Sequence, residues 1–132
     1  MTNPGLLIGG FVPPPKLVQL LEAGRWVLPA EQVLKEVFGD DPDDPRFYDL
    51  PSMLRQNELY RALSPEIHLD LDGPDSDVDP ARCVLIGDLG ADMSIALYYG
   101  SDHGDPRVIY YGLEGWREVA PSFGVLAERL GL

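Results

Sequence analysis

Apolar and polar residues recur in two rhythms along this chain, and the change of rhythm divides it in two. In the first half the apolar positions fall at helical spacing. Leu17, Val18, Leu20 and Leu21 share one side of a helix that starts near Pro15 and stops at Gly24, glycine being a common helix terminator. A second helix follows Pro29, a residue suited to a first helical turn. It carries Val33, Leu34, Val37 and Phe38 on one stripe and ends at Gly39. A third runs from about Pro51 to Leu63 through Met53, Leu54, Leu59 and Tyr60. Beyond it the period drops from about 3.6 to 2. Ile67-His68-Leu69-Asp70-Leu71-Asp72 alternates cleanly, the pattern of a strand with one wet face.

The last fifty residues hold three more β-like runs, CVLIGDLG from Cys83, MSIALYYG from Met93 and PRVIYYG from Pro106. The third is apolar on both sides of its alternation, so both of its faces are at least partly covered. A closing helix places Phe123, Leu126, Ala127 and Leu130 at i, i+3, i+4 and i+7, with Pro121 at or near its first turn and Gly131 just beyond it. Burying its three large side chains contributes roughly 1.5–3 kcal/mol each before entropy is counted. An antiparallel sheet of about four to six strands, with helices mainly on one face, accommodates this order most simply and makes the class α+β.

Turn chemistry separates the elements. Residues 1–14, ahead of Pro15, read as an N-terminal arm: Leu6, Leu7, Ile8 and Phe11 precede Pro13-Pro14-Pro15, and proline favours an extended or edge segment. Residues 15–63 form the helical half and 66–132 the strand-rich half of one domain, a size typical of about 100–150 residues. DDPDDPRFYD, residues 40–49, carries two prolines and five aspartates and is expected to be a solvated loop. Gly73 to Pro80 is a second acidic loop, and Gly100 to Pro106 a hairpin connection rich in Gly and Asp.

Charge changes the picture most. Twenty-two acids against ten bases leave a formal net charge of −12 over 132 residues. Such a surface repels nucleic acid and anionic lipid, and it draws in a basic partner and speeds encounter with it. The same charge also serves solubility alone. Cys83 is the single cysteine, set among Val84, Leu85 and Ile86, and reads as a buried thiol. No basic n-region precedes the apolar stretch Leu6 to Val12, which Gly9 and Gly10 interrupt, and a cytoplasmic location is expected.

Conventional chemistry is sparse. An EF-hand count from Asp75 puts Asp77 and Asp79 at positions three and five, but Pro80 and Ile86 stand where glycine and glutamate are required. His68 and His103 are the two histidines, too few and too far apart for a zinc set with a buried Cys83. Asp102 adjoins His103, yet sequence neighbours rarely point at one another, and no serine or cysteine is marked as a nucleophile. No enzyme activity, cofactor or metal is therefore expected. Gly87 is read as permitting a turn and Asp88 as bonding nearby backbone. Tyr98, Tyr99, Tyr110 and Tyr111 sit on two neighbouring strands. One of each pair belongs to the core. The other two either present a binding face, where aromatics are enriched, or lie under the N-terminal helices. Trp116, following Gly115 in an expected loop, and Trp26 carry the same two readings.

These residues resemble a known family. Ile86-Gly87-Asp88, the strand ADMSIALYY, PRVIYYG, and Ala120-Pro121-Ser122-Phe123 opening the last helix resemble the SUKH superfamily, which includes fungal Smi/Knr-type regulators and bacterial immunity proteins. The resemblance covers about residues 83–131, with an echo in Asn57-Glu58-Leu59-Tyr60, and it lacks the Asn-Gly-Gly turn that often follows the family's first helix. It implies a non-catalytic protein-binding domain, monomeric or weakly dimeric, commonly an immunity protein that masks a cognate toxin. A basic nuclease toxin suits the charge, and the expected partner is a protein rather than nucleic acid or membrane. The expected contact surface comprises Asp70, Asp72, Asp75, Asp77, Asp79, Asp102 and Asp105 with Tyr98, Tyr111 and Trp116. Two other readings remain: a regulatory or scaffold module binding an endogenous protein, and a small metal-dependent hydrolase.

Overall fold

Each of the three C-terminal β-like runs forms a strand, and two further strands join them. The computed structural model describes residues 7–62, 78–90, 93–99, 106–112 and 115–132. Among these are the helices α1 (Pro15–Glu22), α2 (Glu31–Phe38), α3 (Leu50–Arg61) and α4 (Phe123–Leu130). The strands are β1 (Arg46–Phe47), β2 (Cys83–Asp88), β3 (Ser94–Tyr98), β4 (Arg107–Gly112) and β5 (Gly115–Ala120). They form one antiparallel sheet in the order β1-β2-β3-β4-β5. The fold is α+β, with helices and an antiparallel sheet as expected. The strand expected at residues 67–72 and the loops Gly73 to Pro80 and Gly100 to Pro106 fall largely outside the described residues.

Local chemistry explains where the helices begin and end. The Asp49 carboxylate accepts the Ser52 N–H at 2.9 Å and caps α3, so that helix starts at Leu50, one residue before Pro51. Hydrogen bonding from the Ser52 side chain, and then from its N–H, holds the Asp49 carboxyl below its usual range. Ser122 Oγ accepts the Val125 N–H at 3.2 Å and caps α4, leaving Pro121 outside the helix. Pro29 likewise lies outside α2, whose N-cap is Ala30. Gly39 and Gly131 close α2 and α4 in the left-handed region, at φ 81° and 78°.

The core lies between the sheet and three of the helices. Register puts Val84, Leu97, Val108 and Ala120 on one face, with Ile95 opposite Tyr110 and Tyr110 in turn opposite Arg117. On that face Tyr110 meets Phe38 of α2, ring centres 5.3 Å apart, and α4 lies against β4 and β5. The stripe Phe123, Leu126, Ala127 and Leu130 is buried throughout. Trp26, between α1 and α2, stacks on Phe47 at 4.1 Å and tilts against Phe123 at 5.4 Å, which makes it a core residue. Within the N-terminal arm the chain turns back on itself before Pro13. Ile8 and Phe11 bridge across Gly9-Gly10, and Phe11 stacks on Tyr99 at 4.4 Å. Among the described residues no helix is long and apolar enough to cross a membrane.

Helix α3 runs along the outer edge of β2 rather than over a face. There Asn57, only 1% exposed, behaves as a surrogate strand. Its Nδ2 donates to the Leu85 carbonyl at 2.9 Å and its Oδ1 accepts the Leu85 N–H at 2.7 Å. One helical turn on, Arg61 donates to the Ala81 and Cys83 carbonyls at 3.0 and 3.1 Å. The Trp26 indole and the Tyr48 N–H both donate to the Ile86 carbonyl. Side chains thus satisfy an edge that would otherwise offer unpaired backbone.

The expected loop 40–49 also contains structure. Arg46 and Phe47 form β1 and pair with Asp88 and Gly87. Two residues free of proline suffice there because the strand ends of β2 supply the hydrogen bonds. Gly87 accordingly is a strand residue, not a turn residue. A Cβ on it would lie 2.6 Å from the Arg46 carbonyl oxygen and 3.3 Å from the Phe47 ring. Gly87→Ala is expected to push β1 off the sheet and cost about 1–3 kcal/mol, read from urea unfolding midpoints; an unchanged midpoint would contradict this close approach.

Candidate functional site

Four of the ten residues expected at the contact surface lie among the described ones: Asp79, Tyr98, Tyr111 and Trp116. Asp70, Asp72, Asp75, Asp77, Asp102 and Asp105 lie outside them. Asp79 is exposed and precedes a 3₁₀ turn, Pro80–Arg82. Its Oδ1 accepts the Ala81 N–H at 3.0 Å, and its Oδ2 lies 3.8 Å from the Arg82 guanidinium. Its N–H donates to the Tyr98 hydroxyl at 3.1 Å.

Tyr98 is therefore not the exposed phenol expected. It is 8% exposed, its hydroxyl receives the Asp79 N–H, and the Arg107 guanidinium sits 4.9 Å from its ring centre. Tyr99 and Tyr110 are buried as well, so three of the four strand tyrosines belong to the core. Tyr99 donates its hydroxyl to the Val12 carbonyl at 2.7 Å. Only Tyr111 of the four is partly exposed.

Trp116 needs the second correction. It sits in β5 rather than a loop, directly opposite Tyr111, with ring centres 5.3 Å apart in an edge-to-face pair. Both are half-buried. Alternation along β4 puts Tyr111 and Arg107 on the face away from Tyr110 and α2. Arg107 reaches Glu118 of β5 at 3.8 Å. Asp79, Tyr98, Arg107, Glu118, Trp116 and Tyr111 thus belong to one side of the sheet. Four residues of β4 separate its ends, roughly 13 Å at a strand's rise.

A second acidic arrangement was not expected from the sequence. The segment after α2 and the end of β2 border an open depression of about 400 Å³, lined by Asp43, Asp44, Arg46, Asp88 and Gly90. Backbone contact brings the two segments together: the Asp43 N–H donates to the Leu89 carbonyl at 2.6 Å. Asp44, at φ 63°, turns the chain and pairs with Arg46 at 3.6 Å on the surface. Asp88 is half-buried and accepts the Tyr48 hydroxyl at 2.6 Å. Sequence alone offered the run DDPDDP but no sign that Asp88 would meet it.

Electrostatics around Asp88 have a definite sign. Burial pushes its carboxyl above the usual range, and nearby Asp44 adds to this; the Tyr48 hydrogen bond, Arg46 and the Gly90 backbone oppose it without cancelling it. Burial and the same carboxylate push the Tyr48 phenol up. Because folded Asp88 holds its proton more tightly than the unfolded carboxyl, this group's contribution to stability is full below pH 3.8 and is lost as pH rises through the folded value. Asp88→Asn keeps an acceptor for Tyr48 and removes the charge. It is expected to be more stable than the parent at pH 7, by about 1 kcal/mol or less given solvent screening. The gain should vanish below pH 3.8, where the carboxyl is neutral in both states. A lower thermal midpoint for the variant at pH 7 would refute this.

The carboxylates and arginines divide the work. Among the described residues only Asp40 and Asp88 are acids withdrawn from solvent, and each accepts a tyrosine hydroxyl, Asp40 from Tyr110 at 2.8 Å. Several arginines instead donate to main-chain carbonyls. Arg61 caps the β2 edge, Arg82 donates to Tyr99 at 3.4 Å, and Arg129 donates to Val119 at 2.6 Å. Arg117 donates to the Phe38 carbonyl at the C-terminal end of α2, where a cation is favoured. Among the described residues no group of three or more His, Cys, Asp or Glu side chains is placed to hold a metal ion. No family model matches this chain, and no curated protein or solved structure matches it either.

Proposed function

We propose that this chain is a non-catalytic, SUKH-like binding domain that recognises a basic protein surface and neutralises a toxin domain by masking it. The observation that supports this reading is the division of charge. The chain has 22 acids and 10 bases, and four of its arginines donate to the protein's own carbonyls while keeping their charge. Among the described residues 13 acids stand against 10 bases, so the acid excess is concentrated in the remaining sequence, which holds nine acids and no lysine or arginine and would draw in a positively charged partner. The half-buried Tyr111–Trp116 pair, beside Glu118, supplies the kind of aromatic anchor that interfaces concentrate.

The test uses the product of the gene next to this one. Asp75, Asp77, Asp102 and Asp105 are replaced together by lysine, and association with that product is measured by stopped flow over a range of salt. The variant should associate at least about tenfold more slowly at low salt, with the difference shrinking as ionic strength rises. Equal association rates, with circular dichroism showing an intact fold, would end the electrostatic part of the proposal.

A further inference from the structure

We draw no further inference here: the strongest candidate, the open depression between the segment after α2 and the end of β2, is a carboxylate cluster for which no second feature among the described residues points to a ligand.

Discussion

Asn57→Ala is expected to lower stability by about 3–5 kcal/mol, a large share of what a domain of this size holds. The cost does not come from lost volume. Removing the amide orphans both the N–H and the carbonyl of Leu85 in a site only 1% exposed. Each buried, unsatisfied group costs about 1–3 kcal/mol. The Asn57 amide also bonds the Met53 carbonyl one turn back, which fixes its rotamer. Asn57→Asp should be as damaging, because the carboxylate accepts from Leu85 but cannot donate to it and carries a charge into the interior. Leu59→Ala, on the same helix at 58% exposure, should change stability by less than about 0.5 kcal/mol. Urea unfolding of the three variants measures this directly. A loss below about 1 kcal/mol in Asn57→Ala would mean that the amide is not what closes the β2 edge.

Trp26→Ala is expected to cost about 3–5 kcal/mol. Here volume and geometry act together. The indole stacks on Phe47 of β1 and tilts against Phe123 of α4, so it joins the short first strand to the closing helix. Its N–H donates to the Ile86 carbonyl of β2 at 3.3 Å. Trp26→Phe separates the two contributions, since a phenyl ring keeps the stacking and gives up the hydrogen bond. Its loss should be about 1–2 kcal/mol. Thermal unfolding followed by near-ultraviolet circular dichroism would rank the three proteins, and an alanine variant as stable as the parent would overturn the assignment of Trp26 to the core.

Periodicity was informative wherever one face decides the fate of a segment. The closing helix was legible because Phe123, Leu126, Ala127 and Leu130 repeat without interruption and all four are buried. Strands β2, β3 and β4 were legible as short, nearly continuous apolar runs, and they are buried on both faces through their central residues. Strand β5 was not. The pairing passes from Ala120 opposite Val108 to Glu118 opposite Ile109, which leaves Val119 as an extra residue and breaks the alternation in GWREVA. Strand β1 is two residues long, and no local preference marks it; its partner on β2 lies some forty residues away.

The candidate surface was legible only in part, because alternation says which residues share a face but not what covers it. Tyr98 and Tyr111 have the same apparent standing in the sequence. In the fold one is enclosed by Arg107 and the Asp79 backbone, and the other is half-open beside Trp116. Asn57 illustrates the converse. A polar residue in a helix of mixed polarity reads as surface, and nothing local reveals that Leu85, 28 positions on, needs both of its hydrogen-bonding functions. The hydrogen bond between the Asp43 N–H and the Leu89 carbonyl is equally long-range.

Anchoring arginines on carbonyl oxygens has a consequence for how such a chain can change over time. A carbonyl is present whatever residue occupies its position, so the anchors survive substitution of the amino acid that supplies them. The surface ion pairs that do exist, such as Lys35 with Asp41 and Arg46 with Asp44, are exposed, and pairs of that kind contribute only about 0–1 kcal/mol. Exposed acidic side chains that cap no helix and accept no tyrosine hydroxyl can therefore be gained, moved or lost with little penalty to the framework beneath. A lineage that must follow a changing opponent could redraw its outer charges one position at a time while the interior stays constant.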